Sequence, residues 1–322
     1  MPDYRRIIEE RERQTLSPYA ALSAETRGRE YPIDPCPVRT AFVRDRDRII
    51  HCKSFRRLKH KTQVFLSPVG DHYRTRLTHT LEVAQIARTI ARGLLLNEDL
   101  TEAIAMGHDL GHTPFGHSGE SVLNRIVPGG FEHNKQSLRI VEKLENGKGL
   151  NLTFEVRDGI LNHKKSGHPS TLEGVVVSLA DRIAYVNHDI DDAVRAGLLS
   201  NDILPKSCIE AIGATHGERI NTLVLDILQT SSGKNHVEMS GEISSEFEKL
   251  RQFLFDNLYH DSAAKAEEGK AEGVIERLYY HYLKHVSELP PEFTKYIDED
   301  GPDRIAADYI ACMTDRYAVR DY

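Results

Sequence analysis

The stretch TRLTHTLEVAQIARTIARGLL, residues 75–95, decides the fold class because its apolar residues recur with a helical period. Two adjacent lines of apolar side chains follow this period: Leu77, Leu81, Ala84, Ala91 and Leu94 form the first, and Val83, Ile86 and Ile90 form the second. His79 falls on the second line, so the spacing predicts an amphipathic helix whose histidine points into the core.

The next segment, NEDLTEAIAMGHDLGH (97–112), predicts a second helix with a second inward histidine. His108 follows two apolar residues at intervals of four, which places it on a buried face. The Thr113-Pro114 dipeptide should end this helix, because proline lacks the N–H group and restricts the residue before it. A further helix should begin near Gly116.

Helical periodicity continues to the end of the sequence. Helices are predicted over 133–147, 154–163 and 171–199, followed by four or five more, and the only strand signal is TQVFL (62–66). We therefore expect an all-α fold. The predicted organisation is one domain over 1–322, with core helices at about 60–200, an N-terminal arm at 1–59 and a C-terminal helical region at 201–322.

Composition limits the functional classes. The 322 residues carry a formal net charge of −7, which argues against stable nucleic-acid binding, although residues 39–61 contain six Arg and three Lys against two Asp. That basic segment is interpreted as a wall of a phosphate-ligand site or a subunit contact, or as a solvated face of Arg–Asp pairs. No run of 18 apolar residues predicts a membrane span, no signal peptide is apparent, and four scattered cysteines favour a cytoplasmic location.

The inward histidines suggest a metal site. Each one alone is more commonly a core residue with a single hydrogen bond, but a third helix also carries Asp181 among apolar neighbours. One divalent cation held by His79, His108, Asp109 and Asp181 would account for all four side chains. Two imidazoles and two carboxylates suit Mn, Fe, Co, Ni or Zn, and suit Mg less well.

A second group follows within HDLGHTPFGHSGE (108–120). His117 and Glu120 lie at i and i+3 on the predicted helix, so they share a face and can touch. A carboxylate beside an imidazole orients the ring and raises its basicity, as a general acid/base requires. The alternative is a helix N-terminus with an exposed histidine.

The order His, His-Asp, Asp and the text around it resemble the HD-domain metal-dependent phosphohydrolases. Within them the sequence resembles the deoxynucleoside triphosphate triphosphohydrolases, the dGTPase-like proteins of bacteria. Six stretches carry the resemblance in the family's order: SPYAALSAETRGR (17–29), HCKSFRRLKHKTQV (51–64), DHYRTRLTHTLEVAQIAR (71–88), HDLGHTPFGHSGE (108–120), SLADRIAY (178–185) and DYIACMTDRYA (308–318). Thr113 departs from the family, which more often has Pro or Gly there.

The resemblance implies hydrolysis of a deoxynucleoside triphosphate to the deoxynucleoside and tripolyphosphate, by attack at the α-phosphorus beside one divalent metal ion. It implies His117 and Glu120 as the catalytic dyad. It also implies four phosphate-binding residues, Arg76, Arg182, His112 and His133. For the sugar, it implies that Tyr185 packs against the 2′ carbon, while Gln63 and Asp189 bind the 3′-hydroxyl.

The resemblance further implies a homo-oligomer such as a hexamer and, as in some members of the family, a second site for a regulatory nucleotide. Two alternatives stay open at this point. One is an HD phosphohydrolase that acts on a deoxynucleoside monophosphate, a cyclic nucleotide or an alarmone. The other is a non-catalytic nucleotide-binding regulator, which should lack a metal ligand or half of the dyad.

Overall fold

The computed structural model describes residues 3–63, 74–195, 197, 199–200, 203–258 and 262–322. Over these ranges the regular structure is helical and no strand forms, which confirms the all-α prediction. The only extended pairings there are two isolated bridges, Arg29–Thr153 and Thr62–Thr75. Within the predicted strand, Thr62 forms a single bridge, and residues 64–66 lie outside the described residues.

Sixteen α-helices are present in the described part of the chain. In order they are α1 Tyr4–Thr15, α2 Ala41–Ile50, α3 Lys53–Arg57, α4 Arg76–Gly93, α5 Glu98–Gly107, α6 Gly116–Ile126, α7 His133–Arg139, α8 Phe154–Asn162, α9 Leu172–Arg195, α10 Lys206–Ile212, α11 His216–Ser231, α12 Gly241–Leu258, α13 Ser262–Lys284, α14 Pro291–Thr294, α15 Ile297–Ala311 and α16 Asp315–Asp321. Seven of them follow residue 200, so the expectation of four or five was too low. None of the described helices is both long and apolar enough to cross a bilayer.

Helix α4 lies at the centre of the core, against α5 and α9. It begins with a capping box in which the Thr75 side chain accepts from the Thr78 N–H, and Thr78 accepts from the Thr75 N–H. The second apolar line is fully buried, whereas Leu81 of the first line is 48% exposed. The prediction for Leu81 was wrong because the buried face is centred on the second line, which leaves Leu81 at its edge.

Helix α5 ends at Gly107, earlier than the Thr113-Pro114 boundary that the sequence predicted. The reason is tertiary. The Gly111 N–H donates to the Ser137 hydroxyl oxygen at 2.8 Å, and that hydroxyl donates to the His108 carbonyl at 2.7 Å. Ser137 of α7 thus pairs with backbone groups that would have bonded to one another within a longer α5. The start of α6 at Gly116 agrees with the prediction.

The helix predicted over 133–147 is divided. It continues from α7 as a π-helical turn at Ile140–Leu144 and then a 3₁₀ turn at Glu145–Gly147. Asn146 and Gly147 have φ of 53° and 68°, which ends the helix in the left-handed region.

The basic segment 39–61 is largely engaged within the protein. Arg39 pairs with Asp47 at 2.9 Å and Arg46 with Glu102 at 2.9 Å. Lys61 is buried, and its Nζ donates to the carbonyl oxygens of His112 and Ala311. Much of this segment therefore fixes the fold, and Lys61 connects the core to the C-terminal region.

Candidate metal centre

Helices α4 and α9 and the end of α5 bring together the four predicted metal ligands. His79 Nε2 lies 3.1 Å from Asp181 Oδ1 and 3.9 Å from Asp109 Oδ2. His108 Nε2 lies 3.4 Å from Asp109 Oδ1 and 3.7 Å from Asp181 Oδ1. Ligand atoms of His79, His108 and Asp181 all fall within 4.8 Å of one another, as one shared ion requires.

The tautomer of His108 fits a metal ligand. Its Nδ1 lies 2.7 Å from the Ala105 carbonyl, which can only accept, so Nδ1 carries the proton. Nε2 therefore presents a lone pair, is buried, and has no hydrogen-bond partner. A lone pair turned toward two carboxylates is unfavourable unless a cation lies between them. The donor set thus fits a divalent ion.

Both carboxylates are held in the ionised form that binds metal. Burial alone would raise the pKa of Asp181, but the hydrogen bond to His79 and the proximity of His108 outweigh it and bring the pKa below its usual range. Burial acts on Asp109 in the same way and is outweighed by His108, His112 and Arg76, so its pKa is also lowered.

A chain of side chains that the sequence analysis missed supports His79. His79 Nδ1 lies 3.3 Å from His188 Nδ1, and His188 Nε2 lies 2.7 Å from Glu82 Oε2. Burial lowers the pKa of His188 to about 4, although the Glu82 carboxylate opposes this. His188 lies seven residues after Asp181 on α9, so helical spacing already placed both side chains on one face.

The two predicted phosphate-binding arginines differ in position. Arg76 is buried beside the candidate ligands, with Nη1 2.9 Å from Asp109 Oδ2 and Nη2 donating to the Gln63 carbonyl at 3.4 Å. Arg182 instead turns to Glu248 on α12, at 3.4 Å.

The predicted histidines His112 and His133 also adjoin Asp109, with ligand atoms of all three residues within 4.8 Å of one another. Their rings stack with centroids 3.9 Å apart, and His112 Nε2 lies 3.3 Å from Asp109 Oδ1. Burial lowers the pKa of His112 well below its ordinary value. Both imidazoles therefore adjoin the candidate metal ligands.

The structure does not bring His117 and Glu120 into hydrogen-bond contact. His117 is 94% exposed and its Nδ1 lies 3.9 Å from Glu120 Oε2. Glu120 instead contacts His133, with Nδ1 2.9 Å from Oε1 and 3.0 Å from Oε2. Burial would raise the pKa of Glu120, but the hydrogen bond from His133 outweighs it, and the pKa falls well below its usual range.

His163, at the end of α8, is a further site residue that the sequence analysis missed. Its Nδ1 lies 2.7 Å from the Ile160 carbonyl, and its Nε2 lies 3.1 Å from His133 Nε2. Burial lowers its pKa to about 3, and the nearby His108 and His133 contribute. Its Nδ1 contact repeats that of His108, because each histidine follows a helix and pairs with the carbonyl three residues before it.

The three residues predicted to bind the sugar flank the same region. Tyr185 lies one turn after Asp181 on α9, and burial together with that carboxylate raises the pKa of the phenol to about 12. Asp189 lies one turn further and is buried. Gln63 adjoins Arg76 through its carbonyl, while its buried side-chain Oε1 has no hydrogen-bond partner.

Asp315 on α16 fixes two loops of the site. Its carboxylate accepts from the Thr62 N–H at 2.8 Å and from the Phe115 N–H at 3.0 Å. Phe115 has a φ of 61°, in the left-handed region that disfavours a bulky side chain, so this contact holds a strained turn. In the sequence, Asp315 lies within DYIACMTDRYA (308–318), a stretch that carries the family resemblance but to which no role was assigned.

Comparison with known proteins adds to this geometry. Residues 76–186 match the HD domain, and residues 237–322 match the phosphohydrolase-associated domain. A crystal structure of a phosphohydrolase from Bacteroides thetaiotaomicron is similar in fold, with a TM-score of 0.53 and 17% identity over 84% of this chain and 66% of that one. The fold and the site thus define an HD-domain phosphohydrolase.

Relatives that match nearly the whole chain identify the family within this class. The chain is 61% identical over 319 residues to a deoxyguanosinetriphosphate triphosphohydrolase-like protein of Caldanaerobacter subterraneus, covering 99% of this chain and 94% of the relative. It is 52% identical over 328 residues to a protein of the same name from Clostridium perfringens, covering 99% and 96%. The chain belongs to the family of deoxyguanosinetriphosphate triphosphohydrolase-like proteins.

Proposed function

We propose that this protein hydrolyses deoxynucleoside triphosphates at the α-phosphorus and releases the deoxynucleoside and tripolyphosphate. The observation that carries the proposal is the convergence of two imidazoles and two carboxylates, with the unpartnered His108 Nε2 among them. Arg76 and the stacked histidines adjoin this group on a chain whose relatives bear a triphosphohydrolase-like name.

The proposed metal ligands are His79, His108, Asp109 and Asp181, holding one divalent ion of the Mn, Fe, Co, Ni or Zn type, with Mg less suited. When bound, such an ion supplies Lewis-acid stabilisation of charge on a phosphate oxygen. The side chains are already in the protonation states that bind a metal ion, because His108 presents a lone pair and both carboxylates stay ionised.

Cationic and imidazole side chains would bind the phosphates. Arg76 is buried and fixed by Asp109, so it offers a preorganised guanidinium beside the ligands. Arg182 pairs only weakly with the half-exposed Glu248, so a triphosphate can compete for it. His112 and His133 would face the phosphates beside Asp109.

The proposed acid/base pair is His117 with Glu120. His117 is exposed to solvent, and its Nδ1 lies 3.9 Å from the ionised Glu120 carboxylate. Rotation of the exposed His117 side chain would close this gap when substrate covers it. Glu120 would then fix the ring orientation and stabilise the imidazolium that forms as His117 takes a proton.

Discrimination of the sugar would depend on Tyr185, whose neutral phenol ring lies one turn from the ligand Asp181. A ring pressed against the 2′ carbon leaves no room for a ribose hydroxyl, which would also lose its hydration. Asp189 and Gln63 would bind the 3′-hydroxyl.

The test is product identification. The protein is incubated with each dNTP and each NTP in Mn²⁺ or Mg²⁺, and products are separated by chromatography and identified by phosphorus NMR. We expect tripolyphosphate and the deoxynucleoside. Pyrophosphate or free phosphate would exclude attack at the α-phosphorus, and equal turnover of ribonucleotides would remove Tyr185 as the sugar filter.

The dyad is tested by His117→Ala, with His168→Ala as the control because His168 is also exposed and lies outside the site. We expect His117→Ala to abolish hydrolysis while metal content stays unchanged. Turnover at the control's level would contradict the assignment of His117.

A further inference from the structure

Two histidines and a glutamate meet at the C-terminal end of α13, outside the candidate metal centre. His281 and His285 are four residues apart, so they share a helix face, and their ring centroids lie 4.7 Å apart. The 3₁₀ turn Val286–Glu288 brings a carboxylate back to both rings: Glu288 Oε2 lies 2.7 Å from His281 Nε2, and Glu288 Oε1 lies 4.0 Å from His285 Nδ1. All three side chains are about half exposed, so the group is open to solvent.

Buried neighbours fix the backbone that carries these three side chains. Tyr282 and Leu289 are buried, so they hold the end of α13 and the following turn against the core. The Glu288 N–H donates to the His285 carbonyl at 3.0 Å, and the Leu289 N–H donates to the Val286 carbonyl at 3.1 Å. The two imidazoles and the carboxylate are therefore placed side by side before any ligand binds.

The position of the Glu288 carboxylate requires a nearby cation. Helix α13 has 23 residues, and its C-terminal end carries the negative pole of the helix dipole, which disfavours a carboxylate and favours a cation. A neutral imidazole supplies one N–H but no positive charge. In the part of the chain that the structure describes, Lys284 of the same turn forms no ion pair with Glu288. A metal ion among the three side chains would neutralise both the carboxylate and the helix end.

The spacing of the ligand atoms suits zinc. Two imidazoles and one carboxylate form a known tetrahedral zinc set, in which a water takes the fourth position. Ligand atoms bound at about 2.0–2.1 Å in such a site lie about 3.3 Å from one another. The distances of 2.7 Å and 4.0 Å from the Glu288 carboxylate to the two rings lie on either side of this value. Small rotations of the exposed side chains would therefore admit the ion.

We propose that His281, His285 and Glu288 bind a zinc ion at the surface of the C-terminal region. Imidazole ligands favour Zn²⁺, Ni²⁺ or Cu²⁺ over Mg²⁺ and Ca²⁺. The ion connects the end of α13 to the 3₁₀ turn and so restrains the segment that leads to α14. The site is separate from the candidate metal centre, and the proposal does not rest on the proposed function.

The experiment counts bound zinc in the full chain. Metal-free wild type and variants are dialysed to equilibrium against buffered micromolar Zn²⁺, and the metal is measured by plasma mass spectrometry. We expect His281→Asn and His285→Asn each to hold one zinc ion fewer than the wild type, because only two protein ligands remain.

His236→Asn is the matched control. His236 is also half exposed and pairs with a carboxylate, that of Glu238 at 3.5 Å, but among the described residues it has no ring contact with a second histidine. This variant should hold as much zinc as the wild type. Equal counts in the wild type and in both α13 variants would overturn the proposal. The same loss in His236→Asn would also overturn it, because any exposed pair of His and Glu would then bind zinc.

Hydrogen exchange of the wild type gives a second readout that needs no variant. Zn²⁺ should slow amide exchange in residues 281–289, and unchanged exchange there would contradict the site. Ions at the candidate metal centre contribute equally to every chain compared, so the difference in zinc count reports on the α13 site alone. Neither readout involves nucleotide hydrolysis, so failure here is distinguishable from failure of the proposed activity.

Discussion

His188 contacts the Nδ1 atom of His79 and is itself paired with Glu82. Such a contact to the ring nitrogen that does not face the ion is typical of metal-binding histidines. His188 Nε2 donates to the Glu82 carboxylate, so neutral His188 accepts at Nδ1 from His79 Nδ1–H. His79 Nε2, which faces Asp181, is then the ring atom that would bind the proposed ion. His188, which is not itself a proposed ligand, therefore fixes the orientation of the proposed ligand His79.

Replacing His188 with Leu should weaken metal binding about tenfold, within the range that such outer contacts usually contribute. The reason is that His79 Nδ1–H loses its acceptor and the ring loses its fixed tautomer. Competition with a chromophoric chelator for Co²⁺ measures the change. His216→Leu is the matched control, since the His216 ring stacks on His188 with centroids 6.3 Å apart but is not one of the two groups that His188 contacts through its ring nitrogens, and this change should leave the affinity unchanged. Equal affinity in His188→Leu and wild type would contradict this role.

Glu173, in the first turn of α9, should make stability depend on pH. It is fully buried, and burial raises the pKa to about 7 although the backbone N–H groups of Asn97 and Ala21 oppose this. Between its ordinary value of 4.5 and about 7, the folded protein holds a proton that the unfolded chain releases. This stabilisation is complete below pH 4.5 and is lost as the pH rises through about 7.

The measurement is urea unfolding of wild type and Glu173→Gln at pH 5 and pH 8. On going from pH 5 to pH 8, the wild type should lose up to about 3 kcal/mol relative to the variant, because glutamine does not titrate. Glu10→Gln, an exposed change in α1, should follow the wild type. A constant difference between wild type and Glu173→Gln at both pH values would show that Glu173 does not titrate in this range.

At the residue scale, local spacing predicted that His79 and His108 point inward and showed Asp181 among apolar neighbours, while Asp109 joined the proposed ligand set as the neighbour of His108. The sequence also contained the signal for His188, which shares a face with Asp181. The contact between His133 and His163 could not be predicted from the sequence, because it depends on how the end of α8 packs against α7. No local pattern encodes that distance.

At the scale of the elements, the close approach of the segment after α5 to α7 positions the stacked histidines. A Cβ on Gly111 would lie 2.2 Å from Ser137 N and 2.5 Å from the His133 carbonyl oxygen, both of which are backbone atoms. Gly111 is therefore required for packing and not for a special φ.

Gly111→Ala should lower the free energy of unfolding by about 2–3 kcal/mol, since backbone atoms cannot move aside as a side chain can. It should also separate His112 from His133. Gly217→Ala in α11 is the control, because its Cβ meets nothing within 4 Å and the change should be neutral or stabilising. Urea unfolding compares the two variants. Equal stability of both would contradict the close packing at Gly111.

Element boundaries show where local reasoning fails. The spacing correctly predicted α4 and α9, which are long and amphipathic. The end of α5 came early because Ser137, a residue of another helix, pairs with backbone groups around Gly111. Tertiary hydrogen bonds of this kind override the proline signal that the sequence offered.

At the scale of the whole molecule, the C-terminal helices complete the site. Asp308 accepts from Gln136 at 2.9 Å and from Arg139 at 2.8 Å, while Asp315 holds the Thr62 and Phe115 backbone. These contacts connect the phosphohydrolase-associated region to the HD core.

Asp315→Ala should lower the free energy of unfolding by about 2–4 kcal/mol, because two backbone N–H groups lose their acceptor. Release of these loops should also reduce kcat/KM, since Gln63 and the turn before α6 adjoin the site. Thermal unfolding and steady-state kinetics measure both effects. Asp298→Ala, an exposed change in the same region, should alter neither. Wild-type kinetics in Asp315→Ala would show that the C-terminal region has no influence on the site.

The most direct test of the central claim is an anomalous difference map from crystals grown with Mn²⁺ and measured at the manganese absorption edge. The account predicts a peak bonded to His79, His108, Asp109 and Asp181. A map with no peak among these four side chains, from crystals in which Mn²⁺ is bound elsewhere, would contradict it.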